Sequence, residues 1–79
     1  MITRRQCRAA RNLLGWGYDD LAKAAGVNVY TATTFELGLS RPFAVTLTKL
    51  ARALEAAGVE FTAENGGGPG VRLREDAEA

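Results

Sequence analysis

The side chains that most enzymes use for acid–base, nucleophilic or metal chemistry are scarce in this sequence. The 79 residues include no histidine and one cysteine, Cys7. Histidine is the commonest general base and metal ligand, and a single cysteine forms neither an internal disulfide nor a thiolate metal cage. The acidic residues do not have the spacing of a metal site or a catalytic pair. We therefore expect no enzyme, no cofactor and no metal site.

Two features that could suggest chemistry have simpler structural interpretations. Residues 65–70 are glycine-rich, but a phosphate-binding loop needs Gly-Lys-Ser/Thr leading into a helix, and here Val71 and a strand pattern follow. The segment is typical of a hairpin tip. Cys7 is interpreted as a small buried hydrophobic residue rather than a reactive thiol. It belongs to an apolar stripe at helical spacing with Ala10, Leu13 and Leu14.

The charges are distributed unevenly along the chain. Residues 1–58 contain eight Lys or Arg and four Asp or Glu, a net charge of +4, whereas residues 59–79 contain two and five, a net charge of −3. The first part could therefore face an anionic partner. A charge of +4 is modest for nucleic-acid binding, so a solvated surface with an acidic tail is the alternative interpretation.

Length and composition predict one small globular domain. No apolar run approaches the roughly 20 residues needed to cross a bilayer. Residues 1–10 contain arginines without the apolar segment of a signal peptide. We therefore expect a cytoplasmic protein with no membrane partner.

Periodicity and capping residues predict four helices, which lie within residues 3–15, 18–25, 28–38 and 43–58. Thr3 and Gln6 have the spacing of a capping box, and Asn28 is a favourable N-cap for the third helix. The second and third helices are joined only by Gly26-Val27-Asn28. A tight glycine-containing connection of this kind is typical of a helix-turn-helix unit.

The last third predicts a β-hairpin. Residues 59–62 and 71–74 alternate apolar and polar side chains. A two-stranded hairpin is marginally stable alone, so its apolar face must pack on the helices or on a second subunit. We consider Phe61, Val71 and Leu73 as dimerisation residues, and we expect residues 75–79 to be disordered.

Several spaced residues resemble the lambda-repressor-like (XRE or Cro type) helix-turn-helix family. They are Leu21-Ala22-x-x-Ala25-Gly26-Val27-Asn28-x-x-Thr31, Phe35-Glu36-x-Gly38, Arg41-Pro42, Thr46-Leu47 and Leu54-Glu55-Ala56-Ala57-Gly58-Val59. The resemblance spans residues 3–74. It implies a mainly α fold with a four-helix helix-turn-helix domain over 1–58 and a C-terminal β-hairpin over 59–74. It also implies that Glu36 is a structural acid that ties the third helix to nearby backbone.

The resemblance further implies a transcriptional regulator, acting as a repressor, that binds a double-stranded DNA operator as a homodimer. Its third helix would enter the major groove. The implied base-reading residues are Asn28, Val29, Tyr30, Thr33 and Thr34. The implied phosphate contacts are Tyr18, Lys23 and Arg41, with Arg4 or Arg5 as additional candidates.

A second function is consistent with the same fold. The third helix contains no Lys or Arg, and these residues make the commonest specific contact to guanine. An exposed Val29-Tyr30 pair also suits a protein interface. The alternative is therefore a protein-binding helix-turn-helix module, an antiactivator or anti-repressor, whose partner is another regulatory protein.

Overall fold

A computed structural model describes residues 1–62 and 70–74, over which four helices precede an antiparallel hairpin. The helices are α1 (Arg4–Leu13), α2 (Tyr18–Ala25), α3 (Val29–Glu36) and α4 (Ala44–Ala56), and the strands are β1 (Val59–Thr62) and β2 (Gly70–Leu73). This is the predicted mainly α architecture with a C-terminal hairpin. Residues 63–69, which include most of the predicted hairpin tip (65–70), and the predicted disordered tail (75–79) lie outside the described residues.

Local capping groups explain the predicted starts of α1 and α3 and the predicted end of α2. The Gln6 amide N–H donates to Thr3 Oγ1 at 3.1 Å, and the Thr3 N–H donates to Gln6 Oε1 at 2.9 Å, which completes the capping box. Asn28 Oδ1 accepts from the Tyr30 N–H at 2.7 Å at the start of α3. Gly26 ends α2 with φ of 69°, a left-handed conformation that glycine adopts without steric cost.

The core lies where the four helices meet the hairpin. It consists of Cys7, Ala10, Leu21, Ala32, Phe35, Leu50, Leu54 and Val59, with Trp16 and Val27 half-buried against it. The predicted apolar stripe was wrong about Leu13, because this side chain is 44% exposed. At about 100° per residue, Leu13 lies roughly 120° around α1 from Cys7, whereas Leu14 lies close to the core-facing side.

The hairpin packs on the helices through its predicted apolar face. Val59 pairs with Leu73 and Phe61 with Val71 in the antiparallel register. All four side chains pack in or against the helical core. The Gln6 Nε2 amide of α1 donates to the Gly70 carbonyl at 3.2 Å and to the Thr62 carbonyl at 3.5 Å. The apolar face of the hairpin therefore packs on the helices of its own chain, which is one of the two alternatives that the sequence allowed.

Candidate nucleic-acid interface

Helix α3 exposes the residues at its start and buries those at its end. Asn28, Val29 and Tyr30 are exposed, Tyr30 by 73%, and Thr33 is half-buried. The residues that hold α3 in the core are Ala32, Phe35 and Glu36. Four of the five predicted base-reading side chains thus lie on one accessible part of the helix. A neighbouring molecule that approaches this end of α3 meets them together.

Thr34 does not belong to this surface, which corrects its prediction as a base-reading residue. It is 8% exposed. Its hydroxyl donates to the Tyr30 carbonyl at 2.8 Å and lies 3.0 Å from Ser40 Oγ. The side chain is turned back to its own helix and toward the loop after α3, so its polar group is already hydrogen-bonded inside the fold.

The accessible polar groups on α3 are partly engaged in local hydrogen bonds. Asn28 Oδ1 caps the helix, which leaves its Nδ2 donors and the second Oδ1 lone pair for a ligand. The Thr33 hydroxyl donates to the Val29 carbonyl at 2.8 Å. Its hydrogen is therefore committed, and Thr33 presents a methyl group and acceptor lone pairs. Val29 adds a purely apolar side chain.

A buried ion pair anchors the C-terminal end of α3 to α1. Arg11 Nε lies 2.9 Å from Glu36 Oε2, and Arg11 Nη2 donates to Glu36 Oε1 at 3.0 Å. The Glu36 side chain is 1% exposed. The hydrogen bond with Glu36 raises the pKa of Arg11 above its ordinary value. Glu36 is thus a structural acid, but its partner is the Arg11 side chain rather than the nearby backbone that the family resemblance implied.

The same Arg11 guanidinium also fixes the start of α2. Its Nη1 donates to the Trp16 carbonyl at 2.9 Å, and its Cζ lies 4.3 Å from the centre of the Tyr18 ring. This distance allows a cation–π contact. One side chain of α1 therefore holds both helices of the helix-turn-helix unit, and its charge is balanced inside the protein rather than offered to an anionic partner.

Cys7 contacts the same Glu36 carboxylate, as an uncharged thiol. Its Sγ donates to Glu36 Oε2 at 3.6 Å. Burial makes the largest contribution to the raised pKa of Cys7, and the charge and hydrogen bond of Glu36 add to it, so that the pKa is about 12. A thiol in this state is a poor nucleophile.

Two of the predicted phosphate contacts, Lys23 and Arg41, have suitable positions, and Arg4 joins them. Lys23 and Arg41 are exposed. Arg4 and Arg41 line one hollow between the start of α1 and the loop after α3. A β-carbon at Gly38 would lie 3.2 Å from Arg4 Cζ, so the Arg4 side chain rests directly on this glycine. Arg4 and Arg5 are equal candidates in the sequence. In the structure, which describes both, Arg4 lines this hollow and Arg5 does not.

The remaining predicted phosphate contact, Tyr18, has less suitable surroundings. It is half-buried and its ring is occupied by the Arg11 guanidinium. Asp19 and Asp20 follow it as exposed residues, and Asp20 Oδ2 accepts from the Gly17 N–H at 2.8 Å. These carboxylates stabilise the start of α2 through the helix dipole, but they repel a phosphate at the same place.

Several large apolar side chains in residues 37–45 are exposed, and the predictions from the sequence do not account for them. They are Leu37, Leu39, Phe43 and Val45, and Phe43 is 84% exposed. Tyr30 and Phe43 line a second hollow together with Arg41. The signal in the sequence was a cluster of large hydrophobic residues in 37–45 that no predicted apolar stripe used. We name this group, together with Tyr30, the loop surface.

The part of the chain that the structure describes contains no group of three acidic or cysteine side chains that could hold a metal ion. Within 1–62 and 70–74, no helix has both the length and the apolar character needed to cross a membrane. Compared with known proteins, the chain matches no protein-family model, and no curated protein matches it.

Proposed function

We propose that this chain is a DNA-binding transcriptional regulator that inserts α3 into the major groove. The observation that carries the proposal is the accessible end of α3, presented next to α2 by a tight turn and anchored behind by the core and the Arg11–Glu36 pair. Readout of base edges requires side chains held in fixed positions. Binding as a repressor would occlude a promoter.

The charge around α3 also supports an anionic partner. Between Val27 and Leu54 the sequence has one acidic residue, Glu36, and it is buried and paired. Lys23 precedes α3 in the sequence and Arg41 follows it, and both are exposed. Arg4 lines one hollow together with Arg41. Over residues 27–54 a phosphate backbone would therefore meet cations and no exposed carboxylate, whereas the exposed Asp19 and Asp20 lie before this stretch. Few cations are involved, so non-specific binding is expected to be weak and strongly dependent on salt.

The proposal includes a homodimer on a two-fold related site, with half-sites about 10 bp apart. The apolar hairpin residues Phe61, Val71 and Leu73 are covered by the helices of the same chain. Any hairpin contribution to the dimer would therefore come from its outer, polar side, where Arg72 pairs with Glu60 at 2.8 Å.

Selection from a random duplex DNA pool, at low and then physiological salt, tests the proposal. We expect an enriched motif with two-fold symmetry. Arg41→Ala and Arg4→Ala should each weaken binding for all sequences and reduce the slope of log K against log salt by about one. Arg8→Ala is the matched control, since Arg8 is exposed on α1 and does not line the hollow. The absence of any enriched motif would refute the proposal.

The loop surface favours a second candidate function, a module that binds another regulatory protein. Aromatic residues and arginine are enriched at the centre of protein interfaces, and Tyr30, Phe43 and Arg41 line one hollow. Replacing both Val29 and Tyr30 by Ser should abolish partner binding under this function. A DNA reader with the same changes would retain duplex binding and change its sequence preference. Binding assays with the double variant therefore separate the two functions.

A further inference from the structure

We infer that α3 reads A·T base pairs, chiefly through the methyl group of thymine. The inference rests on the proposed function and names the class of duplex that this helix would select. It follows from the chemistry of the side chains that the structure leaves accessible on α3.

The side chains that most often recognise G·C pairs are absent from the accessible part of α3. Guanine is read by the paired donors of Arg or Lys, and cytosine by the carboxylate of Asp or Glu. Helix α3 contains no Lys or Arg, and its one acid, Glu36, is paired with Arg11 inside the core. The cations nearest in sequence, Lys23 and Arg41, lie outside the helix on α2 and the following loop.

The groups that remain are mostly apolar. Val29 and the ring of Tyr30 are exposed, and Thr33 has donated its hydroxyl hydrogen to the Val29 carbonyl. The thymine methyl is the one apolar group that a base pair presents in the major groove. Burial of a methyl against these side chains excludes water from both surfaces and changes affinity by about fourfold per methyl.

The polar reader at the start of α3 fits the same base pair. Adenine presents an N6 donor beside an N7 acceptor, which an amide side chain can match with two hydrogen bonds. The Nδ2 of Asn28 can donate to N7, and the second lone pair of Oδ1 can accept from N6 while the first keeps the cap on the Tyr30 N–H. One residue thus reads adenine, while its neighbours contact a thymine methyl.

The test uses the duplex obtained by selection and the full chain. Thymines in each half-site are replaced one at a time by uracil, which removes the methyl and leaves base pairing intact. We expect dissociation constants to rise about fourfold at one or two positions per half-site and to stay unchanged for uracil outside the half-sites. In Val29→Ala the penalty at one of these positions should disappear. Lys23→Ala and Arg41→Ala should weaken binding without changing the base preference.

The outcomes separate this inference from the proposed function. A selected motif whose half-sites are built on G·C pairs, or uracil duplexes that bind like the parent, would overturn the A·T inference and leave DNA binding intact. A change of base preference in Arg41→Ala would also overturn it, because the reading group would then lie outside α3. A pool that yields no motif would overturn the inference together with the proposed function.

Discussion

Among single residues, Arg11 and Glu36 contribute most directly to the position of α3. Each carboxylate oxygen of Glu36 lies within 3.0 Å of a guanidinium nitrogen, and the pair is largely withdrawn from water. A buried charge is tolerated only when it is paired. Removing one partner leaves the other charge buried and unpaired. The resulting loss of stability is therefore larger than the net contribution of the whole pair, which is judged against a well-packed apolar replacement.

Glu36→Gln should lower the free energy of unfolding by about 3 kcal/mol, since it leaves the Arg11 charge buried without its counter-ion. Chemical denaturation of both proteins measures the difference. Glu60→Gln is the matched control, because Glu60 pairs with Arg72 at the surface and exposed pairs contribute less than about 1 kcal/mol. Equal losses in the two variants would mean that the buried pair does not anchor α3.

Cys7 should react with a thiol reagent only when the chain unfolds. The folded state raises its pKa from the ordinary 9.0 to about 12, so the protonated form is favoured by folding. The stability that this provides is complete below about pH 9 and is lost as the pH rises toward 12. Labelling rates in native and denatured protein test the first statement. Alkaline denaturation of Cys7→Ala, compared with the parent, tests the second, since the variant lacks this titration.

The side chain of Gln6 links α1 to the hairpin. Gln6 accepts from the Thr3 N–H as part of the capping box and donates to carbonyls of both strands. A prediction from local helix preference takes account only of the bond within the capping box. On that basis glutamate at this position would be as good as glutamine, because either acid or amide completes a capping box.

Gln6→Glu should nevertheless destabilise the protein by about 2 kcal/mol at neutral pH. The change keeps the cap but removes the donor to the Gly70 and Thr62 carbonyls and brings a carboxylate against them. Protonation of the introduced carboxyl restores a donor, so the loss should shrink as the pH falls. Denaturation and hairpin amide exchange measure these effects. Thr3→Ala, which loses only the cap, should cost about 1 kcal/mol and leave hairpin exchange unchanged.

The whole molecule is built around one core that includes the hairpin. Val59 is fully buried with Leu50 and Leu54 of α4, so the sequence boundary at residue 58 does not separate two packing units. A chain of this size has a small core. The half-buried residues at its margin, including Phe61, therefore add appreciably to stability.

Phe61→Ala should lower the free energy of unfolding by about 2 kcal/mol, less than for a fully buried phenylalanine. Because Phe61 packs against the helices of its own chain, the loss should be the same over about a hundredfold range of protein concentration. Thermal denaturation at several concentrations tests this. A loss confined to low concentration would instead support the predicted role of Phe61 in a dimer.

The four helices, the caps at Thr3 and Asn28 and the two strands of the hairpin followed from the sequence alone. Capping at Thr3 and Asn28, termination at Gly26 and the alternation of 59–62 all depend on residues within a few positions of one another. The sequence also predicted which end of α3 would be accessible, as far as Val29 and Tyr30. Local periodicity carries this information because side chains three or four apart share one helix face.

The features that set the character of the candidate site depend on residues far apart in the chain. The Arg11–Glu36 pair, the burial of Thr34 beside Ser40 and the approach of Arg4 to Gly38 became visible only in the packed fold. Each depends on how helices are oriented and how a loop crosses between them. The periodicity of the sequence does not predict these contacts, because the charge and exposure of a side chain depend on the groups that packing brings beside it.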